Sequence, residues 1–286
     1  MVDFIKIRLL DSAAERVRKN APLNWRGEFH SDSGLVNRLE QAKNQGLSFK
    51  YYNAASEFRP SLTVGGSLHK YSNMGHHNFN DFSCNQFHNT VEELASVFDF
   101  DPLEAKLVSM EIGVNVTHPY KTSKILSNCI RHKNKEFHSA AVMDEGRYKV
   151  ATYQRHQIKA YDKRKHYQDK GYNIDNEILR LEKKWVKMRE LNQRNISTLH
   201  DLHNYNFEGF VPDILAWWDD ILFADWMALS TTDYSNYSNM NFWSNLSHGS
   251  RKYHRNKLKK LVSNHPDCVK ATVRNEIEQK CRELIR

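Results

Sequence analysis

The chain has 286 residues, of which 40% are hydrophobic and 12% aromatic, and its formal net charge is +8. This composition is typical of a globular protein with a sizeable core and excludes a disordered chain. No apolar run reaches the roughly 20 residues of a membrane-spanning helix, so no membrane association is expected. Four cysteines without a C-x-x-C pair argue against a zinc ribbon or a disulfide framework and favour a reducing cytoplasm.

Almost the whole excess of positive charge lies near the C-terminus. Residues 251–286 hold eleven Lys or Arg against four Asp or Glu, and six of the ten residues in 251–260 are basic. Such a segment predicts a polyanionic partner, most simply nucleic acid. An acidic membrane surface is less favoured, because the segment has few exposed bulky apolar residues. The predicted DNA-binding residues of this segment are Arg251, Lys252, Arg255, Lys257, Lys259 and Lys260.

Hydrophobic periodicity in the first part of the chain predicts strands and two helices. Strands are expected at residues 1–8, 47–52 and 62–68. A short helix is predicted from Val36 to Lys43. The clearest helix runs from Asn85 to Phe98, since its apolar residues recur at helical spacing.

The second part of the chain continues with strand patterns and then becomes helical. A helix is predicted from Thr122 to Ile130, and strands are predicted at residues 107–116, 148–153, 157–163 and 178–186. From about Asn195 onward the pattern is helical and rich in tryptophan. We therefore expect an α+β domain at residues 1–195 and a helical, basic region at residues 196–286.

Three of the predicted strands carry a polar face, because alternate residues of a strand share a side. In strand order these faces hold Glu111, Gly113 and Asn115; Lys159, Tyr161 and Lys163; and Arg180, Glu182 and Lys184. If the apolar faces pack on helices, the polar faces form one open surface. A tyrosine among cations is suited to attack a phosphodiester, because positive charge stabilises its phenolate and also holds phosphate. The same pattern is typical of a half-exposed sheet with charged cross-strand pairs, so both interpretations stay open.

Motifs for other chemistries are weak or lacking in the sequence. Phosphodiester transfer to a tyrosine calls for a divalent metal ion with oxygen ligands. The fifteen histidines include no H-E-x-x-H motif, so zinc hydrolysis is weakly supported. His77, Asn78 and Asp81 stay open as site residues. Without a P-loop or a G-x-G-x-x-G motif, neither ATP-driven nor dinucleotide chemistry is expected.

Five short motifs resemble, in their order and spacing, those of a family of phage and plasmid replication proteins from Bacteroidota. The motifs lie at residues 66–71, 77–82, 111–115, 158–163 and 178–182. More distantly, the chain is similar to rolling-circle initiators of the staphylococcal-plasmid type, to conjugative relaxases and to the filamentous-phage replication initiator. These groups share a strand ending in Tyr-Asp-Lys, followed by a strand with Arg-x-Glu. The resemblance covers residues 60 to 200 and, loosely, the helical C-terminal region.

The resemblance implies a fold and an activity. The fold is a central antiparallel sheet with helices packed on one face, followed by a helical C-terminal region. The activity is that of a cytoplasmic enzyme that nicks one strand at a replication origin, stays attached through a phosphotyrosine and later rejoins the strand. The implied nucleic-acid partner is origin DNA, both as duplex and as nicked single strand. The implied protein partners are the host helicase, the host polymerase and a second copy of the chain.

The resemblance also implies roles for single residues. Tyr161 is the nucleophile, Lys163 contacts the phosphate, and Lys165 completes a Tyr-x-x-x-Lys spacing that some of these enzymes share. The implied ligands of Mg²⁺ or Mn²⁺ are Glu111, Asn115 and Glu182, and further implied DNA contacts are Lys159 and Arg180.

The sequence also departs from this pattern. The histidine pair that binds metal in the wider superfamily of tyrosine endonucleases is missing, so the implied ligand set is incomplete. Tyr153 and Tyr167 remain alternative nucleophiles. A non-catalytic regulatory protein on the same fold that binds DNA, or RNA through some of its thirteen tyrosines, is the alternative function.

Overall fold

The protein is described by a computed structural model, which covers residues 1–19, 23–29, 36–54, 59–138 and 148–286. The strands are β1 (Val2–Leu10), β2 (Arg26–Phe29), β3 (Val36–Asn44), β4 (Leu47–Tyr52), β5 (Ser61–Ser67), β6 (Lys106–Thr117), β7 (Cys129–His132), β8 (Lys135–Glu136), β9 (Tyr148–Thr152), β10 (His156–Asp162), β11 (Ile178–Trp185) and β12 (Ile221–Phe223). The helices are α1 (Asp11–Arg18), α2 (Leu68–Ser72), α3 (Cys84–Phe98), α4 (Thr122–Ser127), α5 (Lys163–Gln168), α6 (Arg189–Asn192), α7 (Leu199–His203), α8 (Val211–Asp219), α9 (Thr231–Ser238), α10 (Met240–Asn245), α11 (His248–Ser263) and α12 (Val269–Ile285).

The chain divides into two compact units. The first unit comprises Met1–Ile112, Lys184–Phe207 and Leu284–Arg286, and the second comprises Gly113–Lys183 and Glu208–Glu283. Strands β6 and β11 therefore contribute residues to both units. The predicted boundary near residue 195 assigns catalysis to residues 1–195 and DNA binding to residues 196–286. This assignment stays a prediction.

The first unit is built on an antiparallel sheet with the strand order β2-β3-β4-β5-β1-β6. Helix α3 begins at a capping box formed by Ser83 and Gln86, and it ends at Asp99 in the left-handed region with φ 52°. Its buried stripe includes Phe98, whose ring lies 4.9 Å from that of Phe49 on β4. Burial of such aromatic pairs supplies much of the core's stability.

The second unit includes the strand order β6-β11-β10-β9. A smaller antiparallel sheet has the order β12-β7-β8. Within this unit, helix α11 packs in an apolar cluster that includes Tyr237, Trp243 and Leu258. The indole of Trp243 donates to the carbonyl of Tyr237 over 2.8 Å, so its polar atom is satisfied inside the core.

The prediction of an α+β fold on a large antiparallel sheet is confirmed. The predicted strands correspond to β1, β4, β5, β6, β9, β10 and β11, and the helix at residues 85–98 corresponds to α3. Beyond residue 195 the described chain is mainly helical, with the short strand β12 between α8 and α9. Within the ranges that the structure covers, no helix has the length and apolar character to cross a membrane.

The predicted helix at residues 36–43 is wrong, because this segment forms strand β3. It pairs with β4 from Leu39↔Tyr52 to Asn44↔Leu47, and Gln45 and Gly46 make the turn with φ values of 42° and 85°. Two consecutive positive φ values are those of a tight hairpin turn. The cross-strand partner thus overrides the helical spacing of the segment.

The helix predicted at residues 122–130 is shorter than expected. It ends at Ser127, and Cys129–His132 forms β7 instead, paired with β12 and β8. The strand predicted to end at Lys163 also ends earlier, at Asp162. The Asp162 carboxylate accepts a hydrogen bond from the Lys165 amide over 2.8 Å, which caps α5 and makes Lys163 its first residue.

Candidate functional site

A tyrosine hydroxyl lies between a carboxylate and an ammonium group in the second unit. The Tyr161 hydroxyl is 3.4 Å from Glu182 Oε2, and it accepts a hydrogen bond from Lys163 Nζ over 3.2 Å. The same Lys163 Nζ lies 5.4 Å from the centroid of the Tyr161 ring. The Tyr161 oxygen therefore has a proton acceptor on one side and a positive charge on the other.

Strand alternation and a helix cap position these groups. On β10, Ile158 and Ala160 are buried, which leaves Tyr161 half-buried on the other face. The turn into α5 then directs Lys163 inward, so that its side chain is only 2% exposed. A lysine this deeply buried is held by its contacts with Tyr161 and with the ring of Tyr167, 5.4 Å away.

A buried network of charges surrounds Glu182. Its Oε1 accepts from Lys159 Nζ over 2.9 Å, and its Oε2 accepts from Arg180 Nε over 3.1 Å. Arg180 Nη1 also donates to Asn115 Oδ1 over 3.1 Å. Arg180 and Glu182 are each only 3% exposed. The expectation of one open polar surface is therefore wrong here, because these charges are buried and neutralise each other.

A glycine on β6 permits the close approach of β11. A Cβ atom at Gly113 would lie 2.5 Å from the carbonyl oxygen of Leu181 and 2.6 Å from Glu182 Cβ. Any side chain at this position would therefore displace the strand that carries Glu182. This contact explains why a glycine stands between Glu111 and Asn115.

Glu111 has a different set of contacts, in the first unit. Its Oε1 pairs with Lys184 Nζ over 2.7 Å, and Lys184 Nζ also lies 4.8 Å from the centroid of the Phe4 ring. The two carboxylates predicted as metal ligands thus fall into different units, Glu111 in the first and Glu182 in the second.

The implied metal ligands do not fit a divalent ion as they are arranged. Oxygen ligands of Mg²⁺ or Mn²⁺ have to face the ion rather than a cation of the protein. Asn115 Oδ1 accepts from Arg180, and Glu111 and Glu182 are both paired with lysines. Among the described residues, no three His, Cys, Asp or Glu side chains are grouped so that they could hold a metal ion.

The alternative nucleophiles have environments that differ from that of Tyr161. Burial, followed by the charge of Asp220, raises the pKa of Tyr153 to about 12. The Tyr153 hydroxyl donates to the carbonyl of His132 over 2.9 Å. Tyr167 is fully buried. A raised pKa and full burial both disfavour attack on a bulky phosphodiester.

The remaining predicted residues lie on α5 and α11, where Lys165, Arg251 and Arg255 are partly buried. The ammonium of Lys165 pairs with Asp169 one turn further along α5. On α11, the side chains of Lys252, Lys259 and Lys260 are exposed, and Lys257 pairs with Asp233 over 3.2 Å. Tyr253 lies on the same helix and is 65% exposed.

Two aromatic side chains beside Tyr161 are absent from the sequence-based prediction. Tyr148 is the cross-strand partner of Tyr161 in the β9–β10 register, with ring centroids 5.7 Å apart. The ring of His166 lies 6.3 Å from that of Tyr161. The alternation of both strands is visible in the sequence, but their register depends on which residues pair across the hairpin.

The three residues of the His-Asn-Phe-Asn-Asp motif that stayed open belong to the first unit. Asn78 is buried and donates to both carboxylate oxygens of Asp3, over 3.0 and 2.8 Å. His77 stacks on Phe79 with ring centroids 4.2 Å apart, and burial lowers the pKa of its imidazole. Asp81 is exposed. Asn78 thus ties this loop to β1.

Comparisons with known proteins give a structural likeness but no sequence match. No family model matches the chain, and no curated protein matches it. Among solved structures, the chain is similar to the rolling circle replication initiator protein from Geobacillus stearothermophilus, with a TM-score of 0.43 and 14% sequence identity. The match covers 76% of this chain and 84% of that one. A likeness of this size establishes no common activity or site.

Proposed function

We propose that the protein is a rolling-circle replication initiator that nicks and rejoins origin DNA through a covalent link to Tyr161. The observation that carries the proposal is the Tyr161 hydroxyl held 3.4 Å from Glu182 Oε2 and 3.2 Å from Lys163 Nζ. The order of the five sequence motifs also supports it. Tyrosine nucleophiles need a nearby base or a positive charge, and this arrangement offers both.

In the proposed reaction, the Tyr161 oxygen attacks the scissile phosphorus and its proton passes to Glu182 Oε2. A bond forms between the tyrosine oxygen and phosphorus, and the bond from phosphorus to the 3′ oxygen breaks. The leaving 3′ oxygen takes up a proton and becomes a free hydroxyl. Lys163 stabilises the charge that develops on the phosphate, and Lys159 assists. Rejoining is the reverse reaction, in which the 3′ hydroxyl attacks the phosphotyrosine.

The basic helix α11 is proposed to hold the origin duplex. Its solvent-exposed lysines and its lack of acidic residues between His248 and Pro266 suit binding to phosphates. Contacts of this kind give affinity with little sequence information. Host helicase and polymerase are the proposed partners in the later steps of replication.

The proposed cofactor is Mg²⁺ or Mn²⁺, which supplies charge neutralisation at the phosphate when it is bound. Arg180 and two lysines hold the oxygens of the implied ligands, so binding of the ion at these residues needs those pairs to open. The requirement is measurable as nicking with added ion against nicking with a chelator.

Strand nicking by two matched tyrosine variants tests the proposal. The substrate is a supercoiled plasmid that carries the protein's own gene with its flanking DNA. Tyr161→Phe is expected to lose nicking and to keep DNA binding, whereas Tyr153→Phe is expected to keep both. Full nicking by the Tyr161→Phe protein would remove Tyr161 from the role.

A non-catalytic DNA- or RNA-binding regulator is the second candidate. The burial of Arg180 and Glu182 favours it, because a closed ion network also serves as a structural core. This function predicts binding to plasmid DNA with no nicking and no covalent adduct, with or without Mn²⁺.

A further inference from the structure

Three arginines converge where helix α11 lies beside the β7–β8 hairpin. Arg131 is on β7 and pairs with Glu136, its partner across the hairpin. Arg255 of α11 donates to Asn134 Oδ1, in the two-residue turn of the hairpin. Arg251 precedes Arg255 by one helical turn, so the two side chains lie on the same flank of α11. The Arg251 guanidinium donates to the carbonyls of Trp243 and Leu246 over 3.2 and 3.0 Å.

Charge at this junction is strongly positive. Burial, and then the charges of Arg251 and Arg255, lower the pKa of Arg131. Glu136 is half exposed, with 51% of its side chain accessible. Residues 129–136 carry Arg131, Lys133 and Lys135 against Glu136, and residues 248–263 of α11 contain no acidic residue. Lys133 pairs with Asp220 over 3.0 Å, while Lys135 is exposed beside the turn.

One donor at this junction has unused hydrogen-bonding capacity. The buried Nε of Arg131 finds no hydrogen-bond partner within the part of the chain that the structure describes, although the Arg131 side chain is only 8% exposed. A buried donor without a partner costs free energy, and a phosphate oxygen is a strong acceptor for a guanidinium. The junction thus combines clustered guanidinium groups with an unsatisfied donor.

We propose that Arg131, Arg255 and Lys135 form a seat for one backbone phosphate of duplex DNA, with Arg251 adding positive charge beside it. The inference rests on the proposed function, from which it takes DNA as the partner. It adds the β7–β8 hairpin to the DNA-binding surface of α11. Arginine suits this task because its planar fork binds phosphate oxygens in pairs. The seat fixes the position of α11 on the duplex without reading bases.

Salt-dependent DNA binding tests the seat independently of nicking. The probe is a fluorescently labelled duplex of mixed sequence, and anisotropy gives the affinity of the Tyr161→Phe protein across a salt series. Arg255→Gln and Lys135→Gln, each added to that protein, are expected to reduce the slope of log K against log salt by about 0.9, the value for one phosphate. The double variant is expected to lose no more slope than either single one, because both groups hold the same phosphate.

Controls separate the seat from general charge effects and from folding. Lys50→Gln removes an exposed lysine of β4 in the first unit and is expected to leave the slope unchanged. Arg131→Lys keeps the charge but loses the fork, so we expect weaker binding with unchanged circular dichroism. Three results would each overturn the seat. They are unchanged slopes in both glutamine variants, a slope loss in the double variant that equals the sum of the two single losses, and tighter binding of duplex RNA than of duplex DNA. If the slopes change as expected and the wild-type protein never nicks DNA, only the proposed enzymatic function fails.

Discussion

Lys163 donates a hydrogen bond to the Tyr161 hydroxyl over 3.2 Å, although the two residues lie on different elements. Tyr161 is on β10, while Lys163 is the first residue of α5. The turn at Asp162 brings the ammonium group back over the tyrosine that precedes it by two positions. The site therefore depends on the start of α5 and on strand β11, which carries Glu182.

Gly113→Ala is expected to destabilise the protein by about 1–3 kcal/mol, because its Cβ would overlap Leu181 and Glu182 on β11. Gly249→Ala on α11 is the matched control, since beyond its chain neighbours and the nearby helix backbone no atom lies within 4 Å of the added Cβ. That change is expected to be neutral or to stabilise by up to about 1 kcal/mol. Urea unfolding of both variants measures the difference. Equal stabilities would show that the two strands do not approach as closely as described.

Glu182→Gln is expected to lower the free energy of unfolding by about 3–5 kcal/mol, because it leaves Arg180 buried without its carboxylate. Asp169→Asn breaks an exposed pair, in which the side chain of Asp169 is 55% exposed and that of Lys165 is 37% exposed. This change is expected to alter stability by less than about 1 kcal/mol. Urea unfolding at neutral pH compares the two. A small effect of Glu182→Gln would mean that the network around it is solvated.

Lys159→Ala is expected to strengthen Mn²⁺ binding, because the Lys159 ammonium occupies Glu182 Oε1 at 2.9 Å in the wild-type protein. Lys165→Ala, which removes an ammonium paired with Asp169, is expected to leave the Mn²⁺ affinity unchanged. Calorimetric titration of Mn²⁺ into each protein gives the dissociation constants. Equal affinities for wild type and Lys159→Ala would argue that Glu182 does not bind the ion.

Asp201 is expected to make stability depend on pH at the start of α7. Burial by itself raises the pKa of Asp201, but hydrogen bonds from Ser197 and Thr198 outweigh it and lower the pKa to about 2. A pKa below that of the unfolded chain means a stabilisation that is complete above the ordinary value near 3.8 and is lost as the pH falls toward 2.

Asp201→Asn is therefore expected to cost about 1–2 kcal/mol at pH 7, and about half of that near pH 3. Urea unfolding of wild type and variant over this pH range measures the cost. A cost that stays constant with pH would contradict a role for the ionised carboxylate.

The sequence predicted the strands around the site but only part of its geometry. Alternation of apolar and polar residues correctly placed Tyr161 and Lys159 on one face of β10. The burial of Arg180 and Glu182 was not predictable, because it depends on what packs over their face. The sequence pattern predicted Lys163 as the last residue of the strand. In the structure Asp162 caps α5 instead, and the strand pattern in the sequence does not reveal that this cap forms.

Other features required information that local patterns do not contain. The segment at residues 36–43 has helical spacing, yet its pairing with β4 makes it a strand. The separation of Glu111 and Glu182 into two units follows from how β6 and β11 are shared. Long-range pairing of this kind is the part of a fold that periodicity does not encode.

The identity of the amino acid that becomes attached to DNA tests the role of Tyr161 most directly. The protein is incubated with Mn²⁺ and single-stranded oligonucleotides that tile its own gene and flanks, and adducts are separated on a denaturing gel. Peptide mapping of the adduct by mass spectrometry is predicted to find the nucleotide on Tyr161. An adduct on Tyr153, Tyr167 or another residue, or no adduct on any oligonucleotide, would show that Tyr161 is not the nucleophile.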